Sequence, residues 1–194
     1  MAGKTTKTAL IKLVILAFAG SEARMKALWA RRVKEPFTII TVEEGYSLLP
    51  VLGAIIADSS IDKNFVLVQA NCFPVKDMSA AQLRLPVLYH RADGQPVYNS
   101  RVPVCLNKAV ISDLLSRLEK PEDFDAEAFL KAATAGNQYP LAVGHSFGNY
   151  VTQVIKPAPC IHRVLEAVIT KHFIATSAVG WDAITGIVDN LLAE

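Results

Sequence analysis

The sequence has few of the features that point directly to a chemistry. Its three cysteines, Cys72, Cys105 and Cys160, lie far apart and form no C-x-x-C pair, which argues against a disulfide framework and a zinc site and indicates reduced thiols. No glycine-rich phosphate loop occurs, and no apolar run approaches the length of a membrane span. His90 and His145 have no second His, Cys or carboxylate at ligand spacing. We therefore predict no metal site and no cofactor.

A strong charge imbalance is also missing. Lys and Arg total 20, Asp and Glu total 18, and the net charge is +2. Positive charge is concentrated between Lys4 and Lys34, where a solvated tail and helix face explain it, and phosphate or nucleic-acid contact is the alternative. Only Trp29 interleaves with these charges, so stacking on single-stranded nucleic acid is poorly supported. We predict no nucleic-acid partner.

What is present is apolar sequence, which makes up 52% of the chain. The segment 13–19 follows three lysines and ends in Ala-Phe-Ala, so it has two interpretations. A secretory signal has this pattern. A buried first strand explains the run equally well, and the helix-like segment that follows at once favours the strand. We predict a cytoplasmic protein, with secretion as the alternative.

The order of the apolar segments predicts an α/β fold. Runs of apolar or β-branched residues at 12–19, 37–42 and 65–68 indicate strands, and helical spacing appears between them at 21–32 and 48–56. Strands that alternate with helices predict a mostly parallel sheet with crossover helices in three layers, within a single domain over 1–194. Because the strand segments are apolar without alternation, we expect them to be covered on both faces.

Three features of the second half are specific enough to test. Asn107 stands directly before an amphipathic pattern and is predicted to cap a helix. Asp123 is predicted to cap the next helix. The segment 98–106 looks extended but contains Pro103, which places it at an edge of the sheet or outside it.

The sharpest local motif is Gly-His-Ser-Phe-Gly at 144–148, which matches the G-x-S-x-G nucleophile elbow with Ser146 as the nucleophile. That fold requires a helix after the serine, then an acid and a histidine on separate loops. Glu166 and His172 follow in this order but are too close in sequence for separate loops. Too little chain remains after Ser146 for the rest of a hydrolase sheet. A serine hydrolase is therefore the weakest of the three functions that we consider.

Several short segments occur in a characteristic order along the chain. They are SEAR at 21–24, the strand at 37–42, SIDKNFVLVQANCF at 60–73, YNSRVPVCLNK at 98–108, FGN at 147–149 and KHFIATS at 171–177. This order resembles that of the glycosyltransferase-type proteins of bacteriophages and gut bacteria, which are related to the Stealth-type capsule sugar transferases. The resemblance runs from residue 13 to the end and implies a GT-A-like fold.

The sequence departs from this family where the chemistry is expected. In the family the third strand ends in Asn-Asp-Asp and an aromatic residue, and the paired acids would hold a divalent metal and the diphosphate of a nucleotide sugar. The matching residues here are Gln69, Ala70 and Asn71. Ala70 offers no ligand, and the neutral carbonyls of Gln69 and Asn71 bind Mg²⁺ or Mn²⁺ more weakly than carboxylates do.

Two further family motifs are altered. The histidine of a Thr-His-x-Pro segment is matched by Arg101, and the tyrosine of a Tyr-Gly-Asn motif is matched by Phe147, while Gly148 and Asn149 are retained. The resemblance thus implies a ligand site built from Gln69, Asn71, Arg101, Gly148 and Asn149.

Loss of the acidic pair together with the histidine favours a catalytically degenerate glycosyltransferase-like protein, a pseudoenzyme that acts as a binding or structural and assembly module. Its apolar composition suits a protein partner or self-assembly, including incorporation in a phage particle. The alternative is an active, metal-independent transferase of a nucleotide sugar, in which Arg101 takes up the diphosphate charge. The second alternative is the hydrolase that uses Ser146.

Overall fold

The computed structural model describes residues 12–70, 72–78, 88–90, 96–98, 103–135, 152–155, 173–176, 189–190 and 193, which form a mixed α/β structure. Its strands are β1 (Lys12–Phe18), β2 (Phe37–Val42), β3 (Asn64–Val68), β4 (Cys72–Pro74), β5 (Leu88–His90), β6 (Pro96–Tyr98), β7 (Val104–Asn107), β8 (Thr152–Ile155) and β9 (Phe173–Thr176). Its helices are α1 (Glu22–Arg32), α2 (Leu48–Ala57), α3 (Lys108–Ser116) and α4 (Ala126–Ala135), with a 3₁₀ turn at Pro121–Asp123.

The main sheet has four strands in the order β2-β1-β3-β7. β1 pairs in parallel with β2 on one side and with β3 on the other, and β7 adds an antiparallel edge strand beside β3. The sheet is therefore mostly parallel, as the alternation of strands and helices predicts. Pro103 immediately precedes the edge strand β7, which confirms the predicted edge position.

The two central strands are buried on both faces. Residues 13–17 of β1 and 65–68 of β3 are all fully or almost fully buried. This is the expected result for apolar runs without alternation, because such strands have no face that suits water. The apolar segment that could also be interpreted as a secretory signal is thus the inner strand β1 of the sheet.

One face of the sheet packs against α1 and a second sheet. Met25, Leu28 and Trp29 of α1 join side chains of β1 and β3 in this core. The second sheet has the order β4-β9-β8. Trp29 of α1 contacts two strands of this second sheet. Its indole N–H donates to the carbonyl of Cys72 in β4 at 3.1 Å, and its ring stacks on Phe173 of β9 with centroids 6.2 Å apart.

The other face packs against three helices. This core contains Leu52 and Ile55 of α2, Ile111 of α3, and Leu130 and Ala133 of α4. α1 and α2 therefore cover opposite faces, and the described part of the chain has the three layers predicted from the sequence. A two-stranded ribbon of β5 and β6 accompanies them. No helix in the described part of the chain is long and apolar enough to cross a membrane.

The predicted helix caps have different outcomes. Asn107 caps α3 as predicted, since its side-chain oxygen accepts from the backbone N–H groups of Ala109 and Val110 at 2.9 and 3.3 Å. The prediction that Asp123 caps the next helix is wrong. Asp123 lies in the 3₁₀ turn, and Asp125 caps α4 by accepting from the Ala128 backbone N–H at 2.9 Å.

Candidate functional site

A cleft opens at the carboxyl edge of the parallel strands. Phe18 ends β1, Tyr46 follows β2, and Gln69 and Ala70 follow β3, so the loops after three adjacent strands meet there. In open α/β sheets ligands bind at this edge, at the point where the chain continues to opposite sides of the first strand. Here that point lies at β1, which has β2 on one side and β3 on the other. The cavity has a volume of about 430 Å³, which is within the usual range for a small-molecule site.

The beginning of α4 lines the cleft opposite the three loops. Leu130 and Ala133 are fully buried against the sheet and fix the position of this helix. Its first turn then faces the loops after the strands, and Asp125, Ala126 and Glu127 line the cleft together with Leu130. A helix that is distant in sequence thereby brings two carboxylates to the edge of the parallel sheet.

The polar centre of the cleft is a hydrogen-bonded pair. The Tyr46 hydroxyl donates to Oε1 of Gln69 at 2.5 Å. Burial raises the pKa of Tyr46 above its usual value, although a hydrogen bond with the Ala70 backbone acts in the opposite direction. Tyr46 is therefore a protonated donor at neutral pH. The Gln69 carbonyl oxygen has two lone pairs, so the amide can offer a ligand its second acceptor position as well as its Nε2 hydrogens.

An aromatic surface accompanies this pair. The rings of Phe18 and Tyr46 meet nearly edge to face, with centroids 6.4 Å apart and planes at 67°. This is a favoured arrangement for aromatic pairs, and it restricts the orientation of the tyrosine. Both side chains are half-buried and line the cleft, so they can present apolar surface to a bound molecule.

The described lining residues carry negative charge only. They are Phe18, Tyr46, Leu48, Gln69, Ala70, Asp125, Ala126, Glu127 and Leu130, which include two acids and no basic side chain. Within the described part of the chain, no three His, Cys, Asp or Glu side chains are grouped closely enough to hold a metal ion. Asp125 is in addition occupied as the cap of α4.

A further acid lies at the same edge of the sheet, at the start of α1. The Glu22 carboxylate is hydrogen-bonded to its own backbone N–H and to that of Gly20, and it accepts from the Thr41 hydroxyl at 3.1 Å. Its own backbone hydrogen bond is the largest cause that lowers the pKa of Glu22, and the bonds from Thr41 and Gly20 add to it. Glu22 thus places a negative charge in the first turn of α1, where the helix dipole favours it.

Of the ligand site implied by the family resemblance, Gln69 lies in the cleft. Asn71, Arg101, Gly148 and Asn149 lie outside the described residues. Ser146, the nucleophile of the hydrolase alternative, also lies outside the described residues.

Sequence reasoning missed Tyr46, Asp125 and Glu127 as cleft residues. Tyr46 could have been found, because it follows a predicted parallel strand on the side where ligands bind. Asp125 and Glu127 could not, since only the packing of α4 brings them to this edge. Glu43 and Glu44 also follow β2, but both are exposed and neither lines the cleft.

No protein-family model matches this sequence, and no curated protein matches it closely enough to count as a relative.

Proposed function

We propose that this chain is a catalytically degenerate glycosyltransferase-like protein that acts as a binding module through the cleft at the carboxyl edge of its sheet. The observation that carries the proposal is the Tyr46–Gln69 pair. It occupies the end of β3, where the resembling enzymes would need a carboxylate to hold a metal ion and diphosphate. Here that place has an amide whose oxygen already accepts a hydrogen bond from Tyr46.

The chemistry of the amide explains why binding is favoured over transfer. A divalent metal that supports sugar transfer needs anionic oxygen ligands to remain bound and to neutralise the leaving phosphates. Gln69 is neutral, and its carbonyl oxygen already accepts a hydrogen bond from Tyr46, so it is a weaker metal ligand than a carboxylate. A fixed amide with its N–H groups available is instead suited to hydrogen bonding with a polar ligand.

Titration calorimetry with UDP-, GDP- and CMP-sugars, with and without Mn²⁺, tests this proposal when it is combined with an assay for nucleotide release. We expect no Mn²⁺-dependent binding and no release of nucleotide. Metal-dependent binding or turnover would refute the proposal that the protein is catalytically degenerate. Metal-independent binding of a nucleotide sugar with turnover would support the transferase that uses Arg101, and Arg101→Ala should then abolish it.

The hydrolase alternative has a separate test. A fluorophosphonate probe should leave the folded protein unlabelled if Ser146 is not a nucleophile. Labelling that disappears in Ser146→Ala would establish the hydrolase instead.

The proposal extends to assembly, in the cytoplasm or in a phage particle, because the composition is 52% hydrophobic and a module without catalysis acts through a partner. Light scattering on the purified protein measures its mass in solution. A mass above that of one chain would support self-assembly, whereas a monomer would require a different protein partner.

A further inference from the structure

We propose that the strand β2 is an interface with a second copy of this chain. The two β2 strands pair in antiparallel orientation about a two-fold axis beside Ile39, and the main sheets of the two copies join into one continuous sheet. This inference rests on the assembly part of the proposed function and deepens it, because it names the partner and the surface.

The outer edge of β2 carries backbone groups that β1 does not use. The Leu13 N–H donates to the Pro36 carbonyl at 3.0 Å and the Ala19 N–H to the Val42 carbonyl at 3.1 Å, so the even-numbered residues of β2 face β1. Because backbone groups alternate between the two sides of a strand, residues 37, 39 and 41 direct their N–H and C=O groups to the outer edge. In the described part of the chain, β1 is the only strand that pairs with β2.

The side chains of β2 are also only partly covered. Thr41 is exposed and residues 37–40 are half-buried, whereas residues 13–17 of β1 and 65–68 of β3 are almost completely buried. Phe37 and Ile39 pack on the core beside α1, and Ile40 packs on the core of the opposite face. Both faces of β2 therefore keep apolar surface that a neighbouring strand can remove from water.

The sequence of β2 has none of the features that usually block pairing at a sheet edge. Phe-Thr-Ile-Ile-Thr-Val at 37–42 contains no charged residue, no proline and no glycine, and it pairs with β1 without a bulge. A short uncharged segment of high β-propensity pairs readily with a copy of itself. A two-fold axis uses the same edge on both copies, so this association closes at the dimer.

Symmetry restricts the register of the pairing. Residues that are directly opposite in an antiparallel pair lie on the same face of the sheet, so the axis must pass beside a residue that is paired with its own copy. With the axis at Ile39, residues 37, 39 and 41 oppose residues 41, 39 and 37 of the second copy, and all their outward N–H and C=O groups are bonded. An axis at Ile40 would instead oppose Phe37 to Glu43, which lies beyond the end of β2.

The same register brings compatible side chains together. Ile39 meets Ile39 of the second copy at the axis, Phe37 meets Thr41, and Thr38 meets Ile40. Each pair consists of β-branched or aromatic side chains, which are the favoured cross-strand neighbours, and no like charges are opposed within the strand.

The charges beside β2 contribute little to the pairing. Lys34 comes level with Glu44 of the second copy, which is an opposite-charge pair, while Glu35 comes level with Glu43. The attraction of the first pair and the repulsion of the second largely cancel. We therefore expect the dimer to depend only weakly on salt concentration.

Sedimentation velocity on the full chain, over a series of protein concentrations, measures the association. We expect a dimer of the wild type. Ile39→Lys places like charges opposite each other at the axis and should weaken the dimer at least about ten-fold. Ile39→Val keeps an apolar β-branched side chain, and this matched control should associate as the wild type does. Circular dichroism verifies that both variants are folded.

Cysteine substitutions test the register and do not depend on the lysine variant. In the proposed dimer the Cα atoms of Ile39→Cys are about 5.5 Å apart across the axis, a separation that a disulfide can bridge. The two copies of Thr41→Cys are offset by roughly 13 Å along the strands, which is too far. Mild oxidation should therefore produce a disulfide-linked dimer of Ile39→Cys, but not of Thr41→Cys or of the wild type.

Amide exchange provides a third measurement at single residues. The N–H groups of Phe37 and Thr41 should be protected in the wild-type dimer and should exchange faster in Ile39→Lys. The N–H groups of Thr38 and Ile40 face β1 and should remain protected in both proteins.

The outcomes separate this inference from the proposed function. A monomer at every concentration would overturn the inference. A dimer that Ile39→Lys does not weaken and that Ile39→Cys does not cross-link would also overturn it, but would leave self-assembly through another surface standing. Mn²⁺-dependent turnover of a nucleotide sugar would overturn the catalytically degenerate function, whatever the state of association.

Discussion

Tyr46→Phe removes one hydroxyl from the centre of the cleft and keeps the ring. The change withdraws the donor to Gln69 Oε1, which lies 2.5 Å away, and also ends the hydrogen bond between the hydroxyl and the Ala70 backbone. The contact between the rings of residues 18 and 46 does not depend on the hydroxyl. The variant therefore isolates the polar function of Tyr46.

The expected loss of stability follows from the exposure of the groups left behind. Gln69 and Ala70 are half-buried, so water reaches both and compensates part of the loss. A hydrogen bond between neutral groups contributes about 0.5–1.5 kcal/mol net, and a fully buried group left unpaired costs about 1–3 kcal/mol. We expect a decrease in the free energy of unfolding of about 1 kcal/mol, which lowers the Tm of a chain of this size by about 2–4 °C.

Urea denaturation followed by tryptophan fluorescence measures this change, and a double-mutant cycle with Gln69→Ala assigns it. If the pair acts as a unit, the double variant should be less destabilised than the sum of the single variants by about 0.5–1 kcal/mol. Additive effects, or a loss near zero in Tyr46→Phe, would refute the reasoning that Tyr46 holds Gln69 in place.

Three further predictions concern other parts of the structure. Asn107→Ala should lower the free energy of unfolding by about 1–2 kcal/mol in urea denaturation, because it removes both capping bonds and the 2.7 Å bond to Asn64. Asn107→Asp retains the cap and should lower it by less. Equal losses in the two variants would contradict the capping role. Glu22→Gln should lower the stability of the protein near neutral pH, and the difference in urea midpoint from wild type should shrink as the pH falls through the lowered pKa of Glu22. A difference in urea midpoint that does not change with pH would argue against this. Ala70→Asp adds a carboxylate to the cleft that Asp125 also lines, so Mn²⁺ should raise the Tm of the variant but not that of the wild type. If Mn²⁺ leaves the Tm of the variant unchanged, the cleft is not where a metal would bind.

The main sheet could be predicted from sequence because its signals are local. The segments 13–17 and 65–68 are continuous apolar runs, and only strands covered on both faces bury every residue of such a run. Asn107 was likewise predictable, because its cap involves only the next three residues.

The cap of α4 shows where local reasoning fails. Residues 121–125 offer two aspartates two positions apart, and both suit an N-cap. Pro121 begins a 3₁₀ turn that takes up Asp123, while Phe124 packs on Phe129 with ring centroids 5.1 Å apart. That aromatic contact favours the start of the helix after Phe124, and the choice depends on packing.

The cleft was predictable only in part for the same reason. The order of strands and helices locates Gln69 at a ligand-binding edge, but the partner that determines its role, Tyr46, is separated from it by 23 residues. Asp125 and Glu127 reach the edge through the burial of Leu130 and Ala133, which no local pattern of charges reveals.

The Glu22 carboxylate links the start of α1 to the end of β2. It accepts a hydrogen bond from the Thr41 hydroxyl, 19 residues further along the chain, at 3.1 Å. Because Glu22 lies in the first turn of α1, the helix dipole also favours its negative charge. A single substitution at position 22 therefore removes a contact of the strand β2 as well as a favourable charge on the helix α1.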